Sequence, residues 1–268
     1  MKKLKRILRV AGMVSAIIGV VLALGFVERT ADRTPISDLQ VHVDGAEGMH
    51  FIDDRAVRRE VLDQGAEVMG AATGEVDVPL IEERLRSIPC VAKAEVYHTM
   101  DGVLHVQVKQ REPIVRVFNT DGSSFYIDKQ GWTMPTNPNY TARVLVVTGA
   151  LNEPGATNGV RSVYESDSVQ HRFRSDDIHR LVLFIQKDPF WNALIDQVVV
   201  TANGDFELIP RVGGQRVLLG DGTALEQRFE KLRLFYEEGM PQASWRSYAR
   251  IDLRFADQIV CTKRTTPQ

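Results

Sequence analysis

Eighteen consecutive residues without a charge, Val10–Val27, are the first pattern along the chain; beyond them apolar positions recur only in short periodic runs. At about 1.5 Å per helical residue the uncharged run reaches roughly 27 Å, enough for the hydrocarbon core of a bilayer. Lys2, Lys3, Lys5, Arg6 and Arg9 precede it with no acid among them, whereas Glu28-Arg29-Thr30-Ala31-Asp32 behind it is mixed. The imbalance predicts a cytoplasmic tail over residues 1–9, a single transmembrane helix over 10–27 seated in the lipid bilayer, and the rest of the chain outside the cytoplasm. A cleaved signal peptide is the competing reading. Its apolar region normally runs about 7–15 residues to a small-x-small site, and here Leu24-Gly25-Phe26-Val27 ends in bulky residues.

A second pattern opens at Ile36. Leu39-Gln40-Val41-His42-Val43 alternates apolar and polar residues, which predicts a half-buried strand closed by Asp44-Gly45. Asp53 is placed to cap a helix with Val57 and Val61 on one side. After a linker from Gly65 to Gly74, Asp77 precedes a helix with Pro79 in its first turn, Ile81, Leu85 and Ile88 on one stripe, and Pro89 as its stop. Strands over Val91–Thr99 and Val103–Gln110 follow. A two-residue Asp-Gly turn between them would put Ala94/Val96 and Leu104/Val106/Val108 on opposite faces. A three-residue Met100-Asp101-Gly102 loop, with Gly102 at positive φ, pairs Val96 with Val106 and unites them. The longer loop is therefore expected, and it sends His98 and His105 to opposite sides, which removes a two-histidine metal site. The order strand–helix–helix–strand–strand, each helix with one apolar stripe, requires both helices on one face of a three-stranded sheet.

An exported module of this order directly after a membrane anchor resembles a POTRA domain. The run Leu85-Arg86-Ser87-Ile88-Pro89-Cys90-Val91 through Arg111-Glu112-Pro113-Ile114-Val115-Arg116 resembles the FtsQ/DivIB family of bacterial division proteins. Tyr126-Ile127-Asp128-Lys129-Gln130-Gly131-Trp132 followed by Pro135 is similar to that family's opening of its second domain. The fold class expected is α+β: a transmembrane helix, a POTRA domain over 36–110, and a β domain over 111–264 with a largely antiparallel sheet and a C-terminal edge strand.

The second half is also readable from its own pattern. Val115–Phe118 and Ser124–Ile127 flank a Thr120-Asp121-Gly122-Ser123 turn, and Arg143–Thr148 is a further apolar strand. Residues Asn152–Ser175 show little periodicity and much Gly, Ser and charge, and read as a surface excursion without chemistry, one that the family pattern does not accommodate. Ser175 is placed to cap a helix whose stripe is Ile178, Leu181, Val182 and Ile185. Ala202-Asn203-Gly204 joins Ile195–Thr201 to Asp205–Ile209 as a hairpin, and Gln215–Leu219 adds a strand. Thr223 and Glu226 have capping-box spacing before a helix carrying Leu225, Phe229, Leu232 and Phe235 inward. Tyr248–Phe255 and Gln258–Lys263 close the chain as strands.

Ala249-Arg250-Ile251-Asp252-Leu253-Arg254-Phe255 resembles the family's closing motif. The resemblance implies that this end of the β domain receives a strand from an FtsB-like partner, with FtsL-like proteins in the same assembly. A last strand without a successor leaves one row of N–H and C=O groups for a peptide to satisfy. The candidate partner-binding residues are Arg254, Phe255, Asp257, Gln258, Ile259, Val260 and Thr262. Arg254 would meet an acidic residue and Phe255 an apolar one, while the bland readings are a surface charge and a packing aromatic; Ile259 and Cys261 are expected to face the core.

Composition narrows the remaining classes. With 33 Lys+Arg against 35 Asp+Glu the net charge is -2, so no nucleic-acid partner is indicated. Cys90 and Cys261 have neither metal nor redox spacing and fall in different expected domains, so two separate thiols are expected rather than a disulfide. There is no G-x-S-x-G, P-loop or H-E-x-x-H sequence, His171 and His179 read as solvated, and the acid pairs Asp53/Asp54, Asp176/Asp177 and Glu237/Glu238 sit at expected helix ends. No catalytic residue, cofactor, metal or small-molecule substrate is therefore expected. Two alternatives stand beside a division scaffold. One is a POTRA-bearing accessory of envelope protein assembly, which would show repeated modules or a barrel's alternating strands; the other is an exported hydrolase.

Overall fold

The structure, a computed structural model, describes residues 12–19, 33–46, 48–63, 68–138, 140–165, 174–243 and 246–264. Residues 12–19 are helical, and no helix among the described residues is long and apolar enough to cross a membrane. Most of Val10–Val27, like the Glu28–Asp32 flank and His171, lies outside the described residues. The chain divides into two units, Met1–Gln110 and Arg111–Gln268.

The first unit runs β1 (Asp38–Asp44), α1 (Asp54–Leu62), α2 (Val78–Ser87), β2 (Val91–His98) and β3 (Val103–Gln110). Its sheet has the order β1-β3-β2, with β1 parallel and β2 antiparallel to β3. Both helix starts form as the side chains dictate: Asp53 Oδ1 accepts from Ala56 N at 2.8 Å and Asp77 Oδ1 from Leu80 N at 3.0 Å. Leu39, Ala94, Val96, Leu104, Val106 and Val108 pack on Val57, Val61, Ile81 and Leu85, so both helices share one sheet face. Burying those apolar stripes, at about 25 cal/mol per Å² removed from water, is what holds so small a sheet together. Val96 pairs with Val106, as the three-residue loop requires, and Tyr97 rather than His98 lies opposite His105, its ring stacked on the imidazole at 4.9 Å.

Gly102 takes φ +80°, and a Cβ built there would strike the carbonyl oxygen of Pro35. Gly102→Ala is expected to destabilise this unit by on the order of 1–3 kcal/mol. Hydrogen exchange should show the loss over β1–β3 and leave the second unit unchanged; equal protection in both variants would remove this account of the turn.

Among the described residues the second unit has nine strands: β4 (Pro113–Phe118), β5 (Ser124–Asp128), β6 (Thr133–Pro135), β7 (Leu145–Gly149), β8 (Ile195–Val200), β9 (Phe206–Pro210), β10 (Arg216–Gly220), β11 (Tyr248–Asp252) and β12 (Val260–Lys263). Their order is β12-β11-β10-β9-β8-β7-β4-β5-β6. The β4–β7, β7–β8 and β10–β11 pairings are parallel and the other five antiparallel, so the sheet is mixed with an antiparallel majority. Alternate residues (115/117, 125/127, 198/200, 206/208, 217/219, 251/253) enter one core with helices α3 (Ser175–Lys187), α4 (Pro189–Leu194) and α5 (Leu225–Leu234). The other face carries Arg116, Gln197, Glu207, Arg216 and Arg250, with Tyr126 and Leu218 buried on the same side. The α3 stripe is buried as the sequence predicts, and beyond α5 the chain continues as a π-turn, Phe235–Gly239, with Tyr236 and Met240 buried and Phe235 half-buried.

Three local expectations are corrected. Ser175 does not cap α3: it lies inside the helix, and the buried Glu153 carboxylate accepts from Arg174 N at 2.7 Å and from Ser175 Oγ. A remote carboxylate thus satisfies the helix's free donors. Thr223 does not form a capping box; its N–H and hydroxyl both donate to Asp221, and α5 starts from Ala224 in the left-handed region. Arg228, with Thr223 after it, pulls the Asp221 pKa down to about 2. The described part of the 152–175 segment is tied into the fold rather than a loose surface excursion. Glu153 and Ala156 are buried, and Glu153 N donates to Asn119 Oδ1 at 2.9 Å.

The two cysteines are not joined by a disulfide; Cys90 lies in the first unit and Cys261 in the second. Among the described residues no group of three or more His, Cys, Asp or Glu side chains is arranged to hold a metal ion.

Candidate functional site

The two ends of the nine-stranded sheet are finished differently. Beside β6, Thr133 N donates to Arg161 O and Val163 N to Gly131 O, both at 2.8 Å, so the 161–163 segment lies along that edge. At the other end β12 pairs with β11 alone, and no strand among the described residues lies beyond it. The pairing sets Asp252 opposite Val260, Ile251 opposite Cys261, Arg250 opposite Thr262 and Tyr248 opposite Lys263. Arg264 N extends it by donating to Ser247 O at 2.9 Å. In an antiparallel pair, alternate residues turn their main-chain groups away from the partner, so β12 carries an outward row of donors and acceptors.

Side chains along this margin divide by face. Ile259 and Cys261 are partly buried against the core, as the alternation predicts, and burial pushes the Cys261 thiol pKa up. Val260 and Thr262 are exposed, as are Phe255, Asp257 and Gln258. Phe255 is 44% exposed, which removes its reading as a packing aromatic. Arg254 is an exposed charge, but one already paired within the chain. Its guanidinium holds Asp252 through Nη2 at 2.8 Å and Nε at 3.1 Å, and Asp205 through Nη1 at 3.2 Å. Burial alone would raise the Asp252 pKa; the Arg254 hydrogen bonds and charge outweigh it and hold the carboxyl below its ordinary range. Arg254 therefore ties the end of β11 to the β8–β9 hairpin, and a partner's acid would have to compete with two carboxylates already in place.

Lys231, on α5, was not singled out by sequence. Its ammonium donates to the carbonyls of Leu253, at 3.2 Å, of Ala256, at 3.1 Å, and of Phe255. Three donors meeting three carbonyls fix the turn that delivers β12 to the edge. Beside that turn a groove of about 430 Å³ runs between Leu234, Phe235 and Glu238 on one wall and Asp257, Gln258 and Ile259 on the other. No sequence signal marks it, because its walls are some twenty residues apart and meet only through β11. The register of the whole margin is fixed from behind: Glu207, almost buried, accepts from Arg216 at 3.2 Å and Arg250 at 3.3 Å, two arginines directly opposite each other on β10 and β11. Without that carboxylate the facing cations would repel across the pair.

A three-stranded unit with two helices on one face, followed by a mixed sheet with one bare edge among the described residues, defines a two-module α+β protein. Known proteins place it further. Residues 36–109 match the model of the POTRA-like domain, and residues 112–262 match the model described as FtsQ/DivIB, C-terminal related. The second match spans more than half of the chain, and the chain belongs to the FtsQ/DivIB family of cell division proteins. It is similar to the cell division protein FtsQ of Rhodothermus marinus, 28% identical over 202 residues that cover 74% of this chain and 70% of that one.

Proposed function

We propose that the protein is a non-catalytic scaffold of the division machinery, held at the cytoplasmic membrane by Val10–Val27 and joined to FtsB/FtsL-like partners by strand addition on β12. The observation that carries this reading is the bare outer side of β12 beside a polar-rimmed apolar groove. An extended peptide would satisfy the outward main-chain row, with Val260, Thr262 and Phe255 setting side-chain preference. Gln258 and Asp257 line the groove beyond the strand. The perturbed groups near this margin, Asp252 and Arg254, are paired with each other, while the groove's own carboxylates, Glu238 and Asp257, are exposed to solvent, where a rim for a binding partner is expected. The basic residues before Val10 would orient the anchor with its tail inside and both units outside, at the division septum.

The test is co-purification of division proteins from detergent-solubilised membranes with the full chain and with a Thr262→Pro variant. Proline there removes a donor of the β11–β12 ladder and so displaces the edge strand itself. Partner capture should fall while the POTRA-like unit keeps its hydrogen-exchange protection. Undiminished capture would refute the edge as the docking site. For the anchor, replacing the five basic residues before Val10 should scramble protease accessibility of the remaining chain in sealed vesicles; an unchanged digestion pattern would exclude the charge-oriented anchor.

A further inference from the structure

The covered end of the sheet carries an inference of its own. Residues 159–164 lie antiparallel to 131–133, held by the two main-chain bonds at the edge and by Thr133 Oγ1, which donates to Gly159 O at 3.0 Å and accepts from Arg161 N at 3.1 Å. One turn into α3, His179 is 3% exposed. Its Nε2 lies 3.3 Å from Lys129 O and its Nδ1 2.6 Å from the Tyr164 hydroxyl. A carbonyl only accepts, so Nε2 carries the proton and Nδ1 accepts from Tyr164 O–H. The segment is thus tied to the sheet by β pairing, and Tyr164 ties it to α3 through a bond to a neutral imidazole, beside the core packing of Val163.

We propose that residues 159–164 are a latch over the β6 edge, held shut by neutral His179 and opened when His179 takes up a proton. Protonation puts a hydrogen on Nδ1, so that Tyr164 must turn from donor to acceptor at a phenol oxygen. It also places a cation where little can receive it. From the 128–132 turn, the Asp128 carboxylate faces the ring, but its oxygens already accept from Arg111, Gln130 N and Trp132 N. Lys129 offers its carbonyl, and its own ammonium is 3.8 Å from Glu112. From α3 itself, Arg180 and Asp176 act on Tyr164 and are within reach of each other at 3.4 Å. From the latch come Tyr164 and Glu165, the latter exposed. Burial outweighs the Lys129 and Asp128 contributions and holds the His179 pKa below its ordinary value. The helix face of His179 is part of the core, whereas Tyr164 is 50% exposed, so lifting the latch is the least costly way to hydrate the imidazolium. The sign follows: a depressed base stabilises the closed state above the ordinary histidine pKa, and that stabilisation is lost as pH falls through the folded value. Glu153, at the same helix end, has the opposite sign. Burial raises its pKa, so acid relieves rather than strains it.

The latch matters because an uncovered β6 would present a second bare edge. Closed, it leaves the sheet with β12 as its one bare end among the described residues; open, it admits a second strand.

Hydrogen exchange of the full chain in detergent, corrected for intrinsic rates, tests this at about pH 7.5 and pH 5.5. Protection at the Thr133 and Val163 amides should fall at least about tenfold at the lower pH while the β8 and β9 amides hold. Tyr164→Phe should show the low protection at both pH values, and Glu153→Gln should keep the pH step. Equal wild-type protection at both pH values, wild-type protection in Tyr164→Phe, or loss of the step in Glu153→Gln would each overturn the proposal. Protection of β8 and β9 in every variant verifies that the fold is kept.

Discussion

If β12 takes a partner strand as proposed, a chain carrying Cys261→Pro and Lys263→Pro together should lose that capture by at least about 100-fold, with both units still folded. The direction of the β12 groups supports this. Arg264 N donates to Ser247 O while Tyr248 lies opposite Lys263. A rung whose neighbours make the bonds is one whose own N–H and C=O point outward. Lys263 therefore faces away from β11, and two residues back Cys261 faces the same way. Proline at both positions removes two outward donors, each contributing about 0.5–1.5 kcal/mol net, and puts ring carbons where the added strand must approach. The β11 ladder uses the other residues and survives. Binding would be followed by titrating the partner onto the purified full chain. An affinity within about threefold of wild type would mean that main-chain pairing on β12 does not carry the contact.

The largest loss of stability is expected from Phe229→Ala. Phe229 is 2% exposed, its ring 5.1 Å from Trp191 and 4.9 Å from Phe184, at the point where α3, α4 and α5 meet over the sheet. Truncating such a side chain costs about 3–5 kcal/mol, transfer of the lost atoms plus the cavity left among neighbours that cannot close it. Against a typical 5–15 kcal/mol for a domain, that removes a large share. Urea unfolding followed by tryptophan fluorescence reports the second unit, which holds Trp132, Trp191 and Trp245, and its midpoint should fall, while hydrogen exchange over β1–β3 shows the first unit unchanged. A loss below about 1 kcal/mol would mean the three helices do not depend on this contact. Partner capture should fall too, because α5 brings Lys231 to the carbonyls of the 253–256 turn.

Where pattern succeeded and where it failed has a common physical basis. The hairpin loop at Met100–Gly102 was legible because a register slip of one residue would expose an entire apolar face, and only one loop length avoids it. The caps at Asp53 and Asp77 were legible because a cap is a contact over three residues. At Ser175 and Thr223 the same local rule misled. Each hydroxyl donates to a carboxylate, Glu153 in one case and Asp221 in the other. Glu153 reaches its helix from 22 residues away, which no window of sequence records. His179 read as solvated for the same reason: its burial depends on a latch that arrives from residue 164 and on a turn at residue 129. Arg254 read as available because Asp205, 49 residues earlier, is brought to it only by the sheet order.

By itself, the sequence determined the two modules, the period and face of most elements, and β12 as a final strand, because these rest on short-range alternation and on main-chain chemistry. The tertiary structure decided which edge is bare, which is latched, and which charges are already spent on each other. Those outcomes depend on segments far apart in the chain arriving side by side, and a one-dimensional pattern holds no record of that meeting.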